Sequence, residues 1–105
     1  MWFVFPQLKG LGHSYNADYY GIAGADEARA YWLHPVLRER LLEITEALLL
    51  LDGLSARQIF GEVDAMKLRS SMTLFWTATG EGLFLKVLDK YYEGKICDST
   101  LEMLR

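Results

Sequence analysis

Leu37-Arg38-Glu39-Arg40-Leu41-Leu42-Glu43-Ile44-Thr45-Glu46-Ala47-Leu48-Leu49-Leu50-Leu51 is the stretch that decides the fold class. Leu37, Leu41, Ile44, Leu48 and Leu51 recur at alternating spacings of 4 and 3, the period of one face of an α-helix. Arg38, Glu39, Glu43 and Glu46 take the solvent side. Leu49 and Leu50 widen the apolar arc, which predicts deeper burial at that end. Pro35 suits the first position of this helix. His34 caps or packs at the junction before it, and Gly53 stops the helix.

Working outward, the same period recurs. Ala25, Ala28 and Trp32 predict a preceding helix, with Asp26, Glu27 and Arg29 on its other faces. Downstream, Ser55 is a good N-cap for a short turn through Ile59-Phe60, closed by Gly61. A further helix is predicted from Val63 to about Ala78, although Thr73-Leu74-Phe75-Trp76-Thr77 has strand-like composition. Gly80 and Gly82 mark a turn. Phe84, Val87, Leu88 and Tyr91 then give an amphipathic helix ended by Gly94. Ser99 with Glu102 reads as a capping box for a last helix carrying Leu101 and Leu104. The expected fold is all-α: residues 1–105 as a single domain, an irregular bundle of four to five helices with a loop-rich N-terminal third.

That N-terminal third begins on an apolar run, Met1-Trp2-Phe3-Val4-Phe5. A free terminus is usually solvated, so either these residues plug into a core or the chain starts partway through a larger domain. The run lacks the basic n-region of a signal peptide, and Pro6-Gln7-Leu8-Lys9 interrupts it. No stretch approaches the length of a membrane span.

With 105 residues, 51% of them hydrophobic and 24% charged, the composition is that of an ordinary globular chain. The formal charge of -3 argues against nucleic acid or an anionic membrane as partner. Cys97 is the only cysteine, which excludes an internal disulfide and fits a reducing, cytoplasmic setting. It has no basic neighbour in sequence but Lys95. Neither His13 nor His34 has a carboxylate at metal-ligand spacing, so no metal or other cofactor is expected.

Chemistry is most readable at Lys67, Ser70 and Ser71. Spacings of i, i+3 and i+4 place one cation and two hydroxyls on one helical face, an arrangement that can hold a phosphate or carboxylate. Asp64 lies one turn earlier and can pair with Lys67. The competing reading makes the serines small contacts for a neighbouring helix and the ion pair a surface feature worth little. A second candidate is the loop Gln7-Leu8-Lys9-Gly10-Leu11-Gly12-His13-Ser14, whose glycines, Lys9 and Ser14 can form an anion-binding nest. Its competing reading is a tight connection that needs glycine conformations. The two candidates would be walls of one pocket if they meet in space. Trp2, Phe3, Phe5, Tyr15, Tyr19 and Tyr20 are read as core packing in preference to base stacking.

The sequence resembles a family of uncharacterised, mainly α-helical proteins, domain of unknown function 1810. The resemblance is carried by Trp2-Phe3-Val4-Phe5-Pro6-Gln7-Leu8-Lys9-Gly10-Leu11-Gly12-x-Ser14, Tyr20-Gly21-Ile22-Ala23, Glu27-Ala28-Arg29-Ala30-Tyr31 and His34-Pro35-Val36-Leu37. It continues in Ile59-Phe60-Gly61, in Asp64-x-x-Lys67-Leu68-Arg69-Ser70-Ser71-Met72-Thr73-Leu74-Phe75 and in Asp98-x-Thr100-Leu101. It implies a helical fold and no established reaction. Some relatives carry the label calpastatin, which fits poorly, because such inhibitory segments are disordered and low in apolar residues. Arg38 departs from the glycine common in relatives and implies an exposed turn. Relatives carry a further helix upstream of the position of Met1. Its absence implies uncovered apolar surface around residues 1–8 and near Leu48 to Leu51, and hence self-association or marginal stability.

The function expected from these residues is that of a non-catalytic binding module for an anionic small molecule or a protein partner. Lys67, Ser70, Ser71, Lys9, Ser14 and Asp64 are its candidate site. The alternative is a small enzyme acting on a phosphorylated or nucleotide-like substrate, with Lys67 as electrostatic stabiliser and Asp64 as general acid/base.

Overall fold

The computed structural model describes residues 5–6 and 22–104. Six helices lie within them: α1 (Ala25–Leu33), α2 (Pro35–Leu50), α3 (Ala56–Phe60), α4 (Glu62–Thr79), α5 (Gly82–Tyr92) and α6 (Asp98–Leu104). The class is all-α, as the periodicity predicts.

Helix α4 is the axis of the fold and packs against α1, α3, α5 and α6. Ser70 to Phe75 are buried without interruption. A helix covered on all sides needs apolar and small residues on every face. This bears on the conflict at Thr73–Thr77: Thr73, Leu74 and Phe75 belong to a stretch of helix with no solvent face to mark its period, whereas Thr77 is exposed. Of its three threonines, Thr73 and Thr79 donate their hydroxyls to the carbonyls of Arg69 (2.8 Å) and Phe75 (2.6 Å), four residues back. Gly80 then ends the helix at φ 72, a left-handed conformation that glycine adopts without steric cost.

The core is a chain of aromatic rings. Phe75 and Phe84 lie 5.5 Å apart, Trp32 meets Phe84 edge-on at 5.1 Å, and Tyr31 tilts against Phe75 at 5.5 Å. Phe5 is buried and meets Phe60 edge-on at 6.2 Å, so this part of the N-terminal run does plug into the core. Trp2, Phe3, Tyr15, Tyr19 and Tyr20 lie outside the described residues.

Helix α2 begins as expected. Pro35 occupies its first turn, and His34 Nδ1 accepts from the Leu37 N–H at 3.4 Å. Ser55 caps α3 in a reciprocal box with Gln58. The inward face of α2 is narrower than the heptad spacing implies: Leu41, Thr45 and Leu48 are buried, whereas Ile44 and Leu51 are exposed. The expectation of deeper burial at the end of α2 is corrected, because Leu50 is 81% exposed. Two residues of helix turn the side chain by roughly 200°, so burial of Leu48 against α5 points Leu50 outward. Leu51 and Leu54 extend this uncovered apolar surface. The last helix also departs from expectation. It starts at Asp98, which puts Ser99 inside the first turn and not at the N-cap, and its buried side chain is Thr100.

Neither α2 nor α4 has a basic residue in its last turn, so neighbouring helices supply the cation. Arg29 of α1 donates to the Ala78 carbonyl at 3.1 Å. Lys90 of α5 donates to the carbonyls of Leu49 (2.7 Å) and Leu51, and Tyr91 donates its hydroxyl to Leu48. A cation on the otherwise unbonded carbonyls at a helix C-terminus stabilises it. Lys90→Met is expected to lower stability by about 1–2 kcal/mol, measured as a fall in the urea midpoint. No change would show that water replaces the ammonium without loss.

Candidate functional site

The sequence-predicted residues are only partly brought together. Asp64 and Lys67 pair at 4.0 Å across one turn of α4, both half-exposed. Ser70 turns to α6, where its Oγ lies 2.6 Å from Thr100 Oγ1 in a buried hydroxyl pair. Ser71 is fully buried, and its Oγ has no hydrogen-bond partner among the described residues. Neither serine is therefore open to solvent beside Lys67. Lys9 and Ser14, with the rest of the 7–14 loop, lie outside the described residues, and so does any meeting of that loop with α4.

The Ser70–Thr100 pair makes a quantitative prediction. Ser70→Ala leaves the buried Thr100 hydroxyl with only the Cys97 thiol, a weak partner, at a cost of about 1–3 kcal/mol. Adding Thr100→Val removes the poorly satisfied group, so the double variant is expected to be more stable than the sum of the two single losses. Strict additivity in a urea-unfolding cycle would refute the pairing.

Around this pair, α4 holds the segment that leads into α6. Thr73 Oγ1 accepts from the Cys97 N–H at 2.9 Å. Arg69 donates from Nε to the Lys95 carbonyl at 2.8 Å and from Nη2 to that of Ile96. Burial pushes the Cys97 thiol up, but hydrogen bonding with Thr100 and Ser70 and the charge of Arg69 outweigh it, and the thiol sits below its ordinary value. The sequence placed only Lys95 near this cysteine; the fold adds Arg69.

Arg69 also faces outward. Two surface hollows, of about 420 and about 270 Å³, meet at Arg69, Tyr91 and Tyr92. The larger runs over Ala56, Ala65 and Met66 between α3, α4 and α5, with the Arg57–Glu62 ion pair (3.5 Å) on its rim. The smaller extends to the Lys95–Glu93 pair (3.9 Å). Both tyrosine hydroxyls are committed inward, Tyr91 to the Leu48 carbonyl and Tyr92 to that of Ala65, which fixes the rings in place. Burial raises both phenols, for Tyr91 with help from the charge of Asp52 and for Tyr92 against an opposing pull from Arg69. Among the described residues the guanidinium of Arg69 is met by carbonyl oxygens and by no carboxylate. Carbonyl dipoles orient the fork without cancelling its charge.

Sequence reasoning missed this groove. Arg69 is separated by 26 residues from the first carbonyl it holds, and no local period announces such a contact. Tyr91 reads correctly as an inward position of α5, yet nothing in its spacing shows that one edge stays open. Among the described residues no group of three or more His, Cys, Asp or Glu side chains is placed to hold a metal ion, and no helix is long and apolar enough to cross a membrane.

No curated protein matches the chain. Among solved structures it is similar to the conserved hypothetical protein Rv1873 from Mycobacterium tuberculosis, at 47% identity and a TM-score of 0.96. That similarity covers 98% of this chain and 74% of the mycobacterial one. The profile described as "Protein of unknown function (DUF1810)" matches residues 1–104. With nearly every residue inside that match, and with a fold so close to that of the mycobacterial protein, the chain belongs to the DUF1810 family.

Proposed function

We propose that this protein is a non-catalytic binding module for a small anionic ligand, seated in the groove over Arg69. The observation that carries the reading is the half-buried guanidinium, oriented by two carbonyls, unmatched by a carboxylate among the described residues and open to both hollows. A planar fork held in this way suits a carboxylate or phosphate and loses little freedom on binding. The larger hollow is within the size range of small-molecule sites. The groove's own carboxylates, Glu62 and Glu93, are exposed and paired with cations, and its phenols are held protonated. These groups favour binding over acid–base chemistry. The free, half-buried Cys97 thiol supports a reducing, cytoplasmic setting.

The test is a thermal-shift screen with nucleotides, sugar phosphates, ADP-ribose and simple anions on the unaltered chain, Lys67→Ala and Lys95→Ala. A ligand at a hundred times its dissociation constant adds about 2.7 kcal/mol, a shift of roughly 10–20 °C for a domain of this size. The expected result is a shift kept in Lys67→Ala and reduced in Lys95→Ala. A shift lost only in Lys67→Ala would move the site to the Asp64–Lys67 face. No shift with any anion on a well-folded baseline would overturn the reading.

A further inference from the structure

We infer that the Arg69 groove is selective for an amphipathic acid: a single oxyanion head on Arg69 joined to a planar apolar body lying over Tyr91 and Tyr92 toward Met66. This rests on the reading of the groove as an anion site and goes further by assigning the ligand's class. The two hollows differ in character. The smaller has charged walls, Arg69 and Lys95 with Glu93, whereas Ala56, Ala65 and Met66 contribute apolar surface to the larger. A bare inorganic ion meets Arg69 and leaves the apolar lobe filled with water. A ligand with both parts fills both lobes and gains from the apolar surface it covers.

Met66 points the same way. It lies 69% exposed beside two tyrosine residues whose hydroxyls are anchored inward. An unbranched thioether adapts its shape to an incoming ring and makes favourable contacts with aromatic edges. The rings and the Arg69 fork are already fixed by hydrogen bonds to carbonyls, so an occupant meets prearranged walls. The charges on the rim set the limit on the head. Glu93 lines the smaller hollow and Glu62 the larger. A polyphosphate long enough to leave Arg69 must approach one of these carboxylates, and like charges repel. The groove thus favours one acidic group over a chain of them.

Calorimetric titration of the full chain with inorganic phosphate, phenyl phosphate, benzoate, adenosine monophosphate and adenosine triphosphate tests this inference, with Met66→Gln as the variant. Met66 is outside the core, so the variant is expected to fold. Phenyl phosphate or the nucleoside monophosphate is expected to bind at least about tenfold more tightly than inorganic phosphate. Met66→Gln should shrink that advantage. Benzoate against phenyl phosphate identifies the head as carboxylate or phosphate, and binding of either with its ring advantage supports the assignment. Equal affinity for phosphate and its ring-bearing esters would overturn the amphipathic assignment while leaving the anion site standing. A triphosphate that outbinds the monophosphate would overturn the single head. No binding by any of the five would overturn the anion reading itself.

Discussion

Phe75→Ala is expected to lower folding stability by about 3–5 kcal/mol, which at this size is a fall of roughly 15–30 °C in the melting midpoint. Phe75 is fully buried on the central helix, and its ring lies 5.5 Å from both Phe84 and Tyr31. Through Phe84 the contact reaches Trp32 of α1 at 5.1 Å. Truncation opens a cavity where α1, α4 and α5 meet. The neighbouring aromatic rings are too rigid to close it without leaving their own contacts. A single-domain stability of 5–15 kcal/mol leaves little margin for such a loss. Tyr31→Ala serves as the control. Tyr31 touches the same ring but is only partly buried, so its truncation should cost clearly less. Equal midpoints for the two variants in calorimetry would mean that the aromatic chain is not the centre of the core.

The fold was legible where a helix has both a wet and a dry side. The beginning of α2 at Pro35, the capping serine of α3 and the inward positions Phe84, Val87 and Leu88 of α5 all follow from local chemistry and period. Legibility failed in two physical situations. One is a helix buried all round, as at Ser70–Phe75, where no period distinguishes inside from outside. The other is a helix whose partner covers only part of its apolar arc, as at Leu50 and Leu51. Spacing reports which residues share a face but not how wide the neighbour is. The candidate site suffered from the same limit. Ser70 and Ser71 do sit near Lys67 on α4, yet a neighbouring helix seals Ser70 against Thr100, and the sequence spacing of α4 cannot show where α6 will lie. Arg69, one position before Ser70, carries no local signal, because its role arises from contacts with a distant turn.

That role gives the second large effect. Arg69→Met is expected to cost about 2–4 kcal/mol, because the carbonyls of Lys95, at an exposed position, and of Ile96, at a partly buried one, each lose a charged donor. The loss is local in structure. The segment leading into α6 is held to α4 by Arg69 and by the Thr73 contact to the Cys97 N–H. Removing the first should raise amide hydrogen exchange across residues 98–104 more than in α2. Arg69→Lys should recover only part of the loss, since one ammonium cannot reproduce two donors fixed in a planar fork. The thiol offers an independent readout. The charge of Arg69 is one of the factors holding Cys97 below its ordinary value, so Arg69→Met should raise the thiol's pKa. Less thiolate would then be present at a mildly alkaline pH, and alkylation would slow. Arg69→Lys, which keeps a positive charge nearby, should slow it less. If alkylation is unchanged and exchange in α6 is unaltered, Arg69 is not the tie between α4 and α6. A guanidinium not tied to those carbonyls would also lack the fixed geometry on which the proposed anion site depends.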